Sequence, residues 1–333
     1  MSIKKKRILK IMIVTVSLLV LSGVSYASFV GYKVHQTLND IQDTDFNNED
    51  DISESEDEKQ ETNKQINNSI EEVTERVRHG NTVSILIAGV DSEHGRFVGR
   101  SDVLMVAVID LDSQESTLLS IPRDTYVEMA STGEYDKINH AYAESVENSM
   151  KTVENFLDIP IDHYVAINFT GFETFIDHIG GIELDVERTI YHNLHPDRVY
   201  LYPGVQKVNG SNALEYVRFR ADGEGDFGRN RRQQQVTKAV LDQTLNIRTV
   251  TQIPGILDIV GNNIRTSMDT NTMLSLVRNL SSLTGEKVET LRLTGDGEMI
   301  GGIYYVMVDE DEHEEVVERL HKRMDIEYVT LER

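Results

Sequence analysis

From Thr82 onward, short apolar runs alternate with helix-spaced segments, and this alternation limits the fold more than any other feature. Val83-Ser84-Ile85-Leu86-Ile87-Ala88 reads as a buried strand that ends at Gly89-Val90-Asp91. Val103–Ile109 and Ser116–Ile121 read as two more, joined by the polar turn Asp112-Ser113-Gln114. Ala141–Leu157 has helical spacing, and Pro160 follows its end. His163–Asn168 and Gly181–Val186 read as strands, with a helix over Gly171–Ile179 between them. Further helices are predicted over Asn209–Tyr216, Arg229–Leu245, Ile253–Val260 and Thr272–Leu283, and late strands over Val288–Leu293 and Tyr304–Val308. No repeat and no long linker interrupts this region. The pattern predicts one α/β domain over residues 80–333, with a central mixed sheet covered on both faces.

Upstream the character changes. A basic tail, residues 1–10, carries Lys4, Lys5, Lys6 and Arg7 and precedes the uncharged run Ile11–Val30. A helix of that length spans roughly 30 Å, the thickness of a bilayer's hydrocarbon core. A transmembrane signal-anchor over residues 11–31 is predicted, with the basic tail cytoplasmic and the rest of the chain outside the cell membrane. Ser25-Tyr26-Ala27 resembles a small-x-small cleavage site, so a cleaved signal peptide is the competing reading. The apolar stretch is longer than a usual signal core, which favours the anchor. Asp40–Glu61 holds eleven acids and one lysine, too little apolar surface and too much like charge to pack. An acidic, disordered spacer is predicted over residues 32–79, and Thr62–Val77 has the composition to start a helix.

The chain has no cysteine, which excludes disulfides, thiolate metal sites and a cysteine nucleophile. Its formal charge of −23 argues against general nucleic-acid binding. Against that background, "RFRADGEGDFGRNRRQQQ", residues 218–235, gathers five arginines and no lysine. Guanidinium is planar, permanently charged, and offers a donor fork that matches phosphate oxygens two at a time. Arg218 and Arg220 are two apart, so on an extended segment they point the same way. Asp226, Arg229 and Gln233 form one stripe at the start of a predicted helix, whose amino end favours an anion. Gly223, Gly225 and Gly228 let backbone approach a ligand closely.

In open α/β sheets, ligands sit beyond the carboxyl ends of strands. That edge holds Asp91, past the first strand, and Arg123, in Ile121-Pro122-Arg123-Asp124 past the third. Asp91 and Asp102 are hard oxygen donors of the kind magnesium uses together with substrate phosphates. Taken alone, any one carboxylate–arginine pair is better explained by mutual neutralisation. Together, the arginines and a metal would neutralise a pyrophosphate.

Seven stretches carry a resemblance to a known family. They are Gly89-Val90-Asp91, Arg100-Ser101-Asp102, Ser120-Ile121-Pro122-Arg123-Asp124, Lys137-Ile138-Asn139-His140-Ala141-Tyr142, Gly180-Gly181-Ile182, Tyr216-Val217-Arg218-Phe219-Arg220, and Asp226-Phe227-Gly228-Arg229 followed by Arg232-Gln233-Gln234. In order and spacing, over roughly residues 80–245, they resemble the LytR-CpsA-Psr family of envelope glycopolymer transferases. The resemblance implies a three-layer α/β/α fold outside the membrane. It also implies transfer of a glycan from a polyprenyl-pyrophosphate carrier to peptidoglycan, with magnesium (Mg2+) and release of polyprenyl phosphate. Carried onto this chain, it makes Asp91 and Asp102 metal-side acids, and Arg100, Arg123, Arg218, Arg220 and Arg229 pyrophosphate ligands with Gln233 beside them. Arg123, Asp91 and Asp102 are the catalytic candidates, and Asp226 is a further candidate for the site without an assigned role.

The prenyl chain would enter an apolar tunnel, for which Phe169, Phe172 and Phe175 are candidates set against ordinary core. The attacking group implied is the C6 hydroxyl of muramic acid. Asp91 or Asp102 could act as base when not engaged with metal, and Asp124 is a weaker candidate. The chain departs from the family where a glycine pair is replaced by Ala143-Glu144-Ser145-Val146, which bears on the acceptor side of the cleft.

A pyrophosphatase using water at the same site, and a non-catalytic lipid-glycan binder or regulator, are the alternative readings. His192 and His195 have no obvious third ligand for zinc. Gly301-Gly302 reads as a turn, and Asp309–Glu315 as a solvated acidic face.

Overall fold

The computed structural model describes residues 28–42, 73–91, 99–192, 195–221, 225–245, 261–279 and 287–331, with Phe97, Gly223 and residues 258–259. A central six-stranded sheet is formed by β2 (Thr82–Val90), β3 (Ser101–Asp110), β4 (Ser116–Ser120), β7 (His163–Asn168), β12 (Ile264–Thr266) and β13 (Val288–Arg292), in the order β12-β7-β2-β3-β4-β13. It is mixed, as predicted. β2 runs parallel to β7 and β4 to β13, while the β12–β7, β2–β3 and β3–β4 pairs are antiparallel.

Residue alternation along β2 sorts its side chains onto two faces. Leu86, Ala88 and Val90 join the main core under α2 (Ile138–Glu144), α3 (Val146–Leu157) and α8 (Glu310–Met324). Burying each leucine there contributes about 2 kcal/mol. Ile85 and Ile87 face the other way, toward Met268, Met273 and Leu276 and toward Leu241 of the long helix α6 (Gly225–Leu245). Helices therefore cover both faces of the sheet.

Several elements differ from the sequence reading. The helix predicted over Ala141–Leu157 is two helices, α2 and α3. Ser145 between them is extended (φ −161°, ψ 162°), and its hydroxyl caps α3 by accepting from the Asn148 amide. Short polar strands escaped the hydrophobic pattern: the hairpins of β5 (Tyr126–Glu128) with β6 (Tyr135–Lys137) and of β9 (Ile190–His192) with β10 (His195–Leu201), and β11 (Gly204–Val208), which pairs with the predicted strand β8 (Ile182–Val186). β14 (Gly295–Ile300), opposite β15 (Ile303–Val308), was missed for the same reason, although Gly301-Gly302 does make their turn, at φ 58° and 85°. The acids after Asp309 open α8, whose first turn favours negative charge, and Asp309 caps it by accepting from the Glu312 amide.

The spacer expected over residues 32–79 carries structure at both ends. Residues 28–41 form helix α1, which buries Ile41 and Thr37 and bridges at Gln42 to Thr266. Residues Val73–Arg78 form β1, antiparallel to the last strand, β16 (Ile326–Leu331), and not part of a helix. The rest of the spacer, most of the expected membrane segment and most of the helix expected over Ile253–Val260 lie outside the described residues. Among the described residues, no helix is long and apolar enough to cross a membrane.

Candidate active site

The site sits at one edge of the sheet, where β2, β4, β7 and β13 end. β3 enters from that edge. Gly89 pairs with Val103 and Val90 with Ser101, which leaves Asp102 as the extra residue of a bulge. A bulge re-aims its side chain, and Asp102 here meets Arg123 in a direct ion pair. Arg123 also lies 3.6 Å from Asp124, which accepts a 2.8 Å hydrogen bond from Lys137. Burial pushes the Asp124 carboxyl up, but the Lys137 hydrogen bond and the charges of Arg123 and Arg229 outweigh it and hold it below the usual range. Asp124 is therefore a poor proton acceptor. It fixes Arg123 and Lys137 in place.

The arginine-rich segment is shared between a helix end, a turn and a helix start. α5 (Gly210–Arg218) ends where Phe219 turns extended (φ −65°, ψ 135°), and Phe219 is buried while Arg218 and Arg220 reach a common cavity. The long helix begins at Gly225, a turn earlier than predicted, so Arg229 lies inside it and is only 2% exposed. The five arginines then divide. Arg218, Arg220 and Arg229 line the cavity. Arg231 turns away and forms a fork with Glu187, at 3.0 and 2.7 Å. Arg232 is buried and braces the turn by donating to the Phe219 carbonyl. Gln234 ties the helix to β13 through the Leu291 carbonyl, and Gln235 accepts from Tyr216, whose hydroxyl is pushed up to about 12, first by burial and then by Glu187.

The cavity measures about 530 Å³ and is walled by Asp102, Arg123, Arg218, Arg220, Arg229 and Gln233, with Glu215 and His192. Sequence reasoning missed the last two. Glu215 is three residues before Arg218 on one helix, so helical spacing could have found it. His192 arrives on β9 of an unpredicted hairpin and carries no sequence signal. Asp91 and Arg100 are exposed just outside the wall, beyond the paired ends of β2 and β3, and Asp91 lies 4.0 Å from Arg218. Asp226 falls in the first turn of α6, where only the backbone is described.

Among the described residues no group of three or more His, Asp or Glu could hold a metal. Asp91 and Asp102, at adjacent strand ends and each beside an arginine, instead suit an ion that takes most of its shell from phosphate oxygens.

A second cavity, about 290 Å³ and almost wholly apolar, shares part of its wall with the first. Val103, Phe169, Val217 and Gln233 belong to both walls. Phe172 and Phe175 line it as well, so the three phenylalanines are the wall of a cavity, not the interior of a closed core. Phe169 stands at the junction, with the Arg218 guanidinium 4.9 Å from its ring centre.

The model of the LytR_cpsA_psr family matches residues 42–322. The chain belongs to the LytR-CpsA-Psr family. It is similar to the polyisoprenyl-teichoic acid–peptidoglycan teichoic acid transferase TagU of Halalkalibacterium halodurans, 39% identical over 73% of this chain and 79% of that protein. TagU of Bacillus licheniformis is 32% identical over 97% of each chain. Among solved LytR-CpsA-Psr structures, Bacillus subtilis TagV superposes with a TM-score of 0.64 at 36% identity, over 73% of this chain and 97% of TagV. TagT bound to LI-WTA superposes with a TM-score of 0.63 at 30% identity, over 73% of this chain and 91% of TagT.

Proposed function

We propose that the chain is a phosphotransferase that moves a glycopolymer from a polyprenyl-pyrophosphate carrier onto peptidoglycan, as a membrane-anchored enzyme acting outside the cell. The observation that carries this reading is the junction of the two cavities: four arginines in one, apolar side chains in the other, and a shared wall. A ligand that fits both has a doubly anionic head and a long hydrocarbon tail. The names of the relatives, teichoic acid–peptidoglycan transferases, support the same donor and acceptor classes.

In this account Arg123, Arg218, Arg220 and Arg229 hold the diphosphate oxygens, with Gln233 at the neck where head meets tail. Arg100, outside the wall, is a further candidate ligand of the diphosphate. An acceptor hydroxyl, the muramic C6 hydroxyl in the family's reaction, attacks the glycan-side phosphorus, and its proton passes to whichever of Asp91 and Asp102 is not engaged with metal. The new O–P bond forms as the bridging P–O bond breaks, and its electron pair leaves on polyprenyl phosphate. Such transfers depend on positioning and on charge stabilisation, which fixed guanidinium groups supply without reorganising. Asp102 and Asp124 keep Arg123 aimed. Asp91 and Asp102 are the carboxylates that would hold magnesium, whose contribution when bound is to neutralise the diphosphate and stabilise the departing oxygen.

The test is incubation of the protein with a labelled lipid-pyrophosphate glycan, a peptidoglycan oligomer and magnesium. Linked product is expected from the wild type and not from Arg123→Ala or Asp102→Ala. Release of free glycan phosphate without linkage would instead indicate a pyrophosphatase.

A further inference from the structure

Helix α1, residues 28–41, overlaps the end of the uncharged run Ile11–Val30, and it packs against the strip of chain that leads into β12. The two run side by side in one direction. Lys33 forms an ion pair with Asp258, a Cβ on Gly261 would lie 3.5 Å from the Thr37 methyl, and Gln42 makes a parallel bridge to Thr266. Asn39 accepts a 3.2 Å hydrogen bond from the Thr270 hydroxyl. The buried and half-buried positions of α1 are Val30, Lys33, Val34, Thr37, Leu38 and Ile41, spaced by three and four, so one face of the helix is docked along its length. Leu38 and Ile41 join the cluster that contains Ile87 and Val165. Those two side chains line the apolar cavity, and so do Ile259, Asn263 and Ile264 of the strip. The strip thus has the cavity on one side and α1 on the other.

The sheet fixes the direction of α1. β12 is antiparallel to β7, with Ile264 opposite Ile167 and Thr266 opposite Val165, so β12 starts at the edge where the arginines sit and runs away from it. Asn263 lies against Gly171, in the first turn of α4 (Phe169–His178), which begins directly after β7. Because α1 runs the same way as the strip, its amino end points to that edge. The chain therefore enters the domain on the side of the site, next to the cavity wall.

Phe29 and Tyr32 stand near this amino end, 51% and 67% exposed, three apart on a helix and off its docked face. From Ser28 to Asn39 the only formal charge is Lys33, and the acids begin at Asp40. Aromatic rings collect at membrane–water interfaces, and a stretch with a base and no acid suits anionic headgroups. A second exposed apolar group, Met299, Ile303 and Tyr304, lies on β14–β15. That hairpin follows β13, at the opposite end of the sheet from β12, and has Glu298 within it.

We propose that Phe29 and Tyr32 rest in the outer interface of the cell membrane, and that α1 thereby turns the domain so that the cavity wall formed by Ile259, Asn263 and Ile264 faces the bilayer. This rests on the membrane anchoring in the reading above and adds which way the anchored domain is turned. A prenyl tail then moves between lipid and cavity across this wall, with little of its hydrocarbon passing through water.

The chain has no tryptophan, so Tyr32→Trp, Asn262→Trp and Met299→Trp each carry a single reporter, at three exposed positions. Full-length protein is reconstituted in vesicles of phosphatidylcholine and phosphatidylglycerol, with and without bromine on the acyl chains near the headgroups. Bromine should quench Tyr32→Trp at least twofold and Asn262→Trp by at least a quarter, and leave Met299→Trp unchanged. In the Asn262→Trp protein, Phe29→Asp/Tyr32→Asp should at least halve the quenching while the protein stays with the vesicles after an alkaline wash. Quenching of Met299→Trp would overturn the proposal by putting the opposite end of the sheet on the membrane. Quenching of Tyr32→Trp without Asn262→Trp, or quenching of Asn262→Trp untouched by the double aspartate variant, would also overturn it and leave α1 a tether only. Release of the wild type by the alkaline wash would refute the anchor itself, a separate failure that takes this inference with it. The predicted quenching in a protein that transfers nothing would leave the orientation standing and the transferase reading refuted.

Discussion

The strand pair β2–β7 has arginine and aspartate at both of its ends, and the two ends use them in opposite ways. At the amino end Asp162 accepts both terminal nitrogens of Arg78, at 2.7 and 2.8 Å, as well as the Ser84 amide and hydroxyl, at 2.8 and 2.9 Å. One acid meets one base, and the acid's lone pairs are filled. Burial pushes Asp162 up, but the Arg78 fork and the Ser84 donors outweigh it and leave the carboxyl below its usual range. At the carboxyl end four arginines line an open cavity, with Asp102 and Glu215 in its wall and Asp91 and Asp124 beside it, in a chain whose net charge is strongly negative. A balanced cluster is a fastening. A cavity that gathers four guanidinium groups around open space is suited to an anion.

Substitutions can break the comparison in either direction. Arg218→Ala should lower transfer on the order of 10³-fold, the worth of an arginine at a transferring phosphoryl group, with the thermal midpoint nearly unchanged because the side chain is largely exposed. Asp162→Asn should do the reverse. It removes one partner from a pair whose side chains are about a quarter exposed, so unfolding by denaturant should show a loss of about 2 kcal/mol, with specific activity of the folded protein intact. The same variant carries a pH signature. A depressed carboxyl contributes stability that is present above its unfolded value of 3.8 and is lost as pH falls through the folded value. The wild type should therefore lose stability below about pH 4 more steeply than Asp162→Asn, measured as midpoint against pH.

Smaller effects sharpen the boundary of the site. Val240→Phe fills part of the apolar cavity and leaves the arginines alone. It should raise the Kd of a long-chain prenyl diphosphate about tenfold, or about 1.4 kcal/mol, and leave a short-chain diphosphate unaffected in the same titration. Arg231→Ala removes an arginine from the same segment, but one spent on exposed Glu187, and both transfer rate and stability should stay within about 1 kcal/mol of the wild type. If Arg231 mattered as much as Arg218, the division of the five arginines would be wrong.

How much of this the sequence disclosed follows the same physics. The central strands were legible because both faces are buried and their apolar runs are nearly unbroken, as in Thr82–Val90. β14 was not, although its partner β15 was, because β14 is Gly-Asp-Gly-Glu-Met-Ile and has no apolar face to betray it. Ser145 broke a helix whose spacing continued across it. The site's arginines were legible as a type and a spacing. That Arg231 and Arg232 leave the cavity depended on which side of α6 meets the sheet and the turn, which no local pattern records. Arg78 gave no sign of its role. Its partner Asp162 is remote in the chain, and the segment around it read as spacer.

The central claim is that one ligand occupies both cavities, its diphosphate among the arginines and its tail against the phenylalanines. Calorimetric titration of the full-length protein in detergent, with a long-chain prenyl diphosphate and the matching monophosphate, tests this most directly. The account predicts at least tenfold tighter binding of the diphosphate, and loss of that preference in Arg218→Ala with tail-dependent binding retained. Equal affinity for the two ligands in the wild type, or an undiminished preference in the variant, would contradict it.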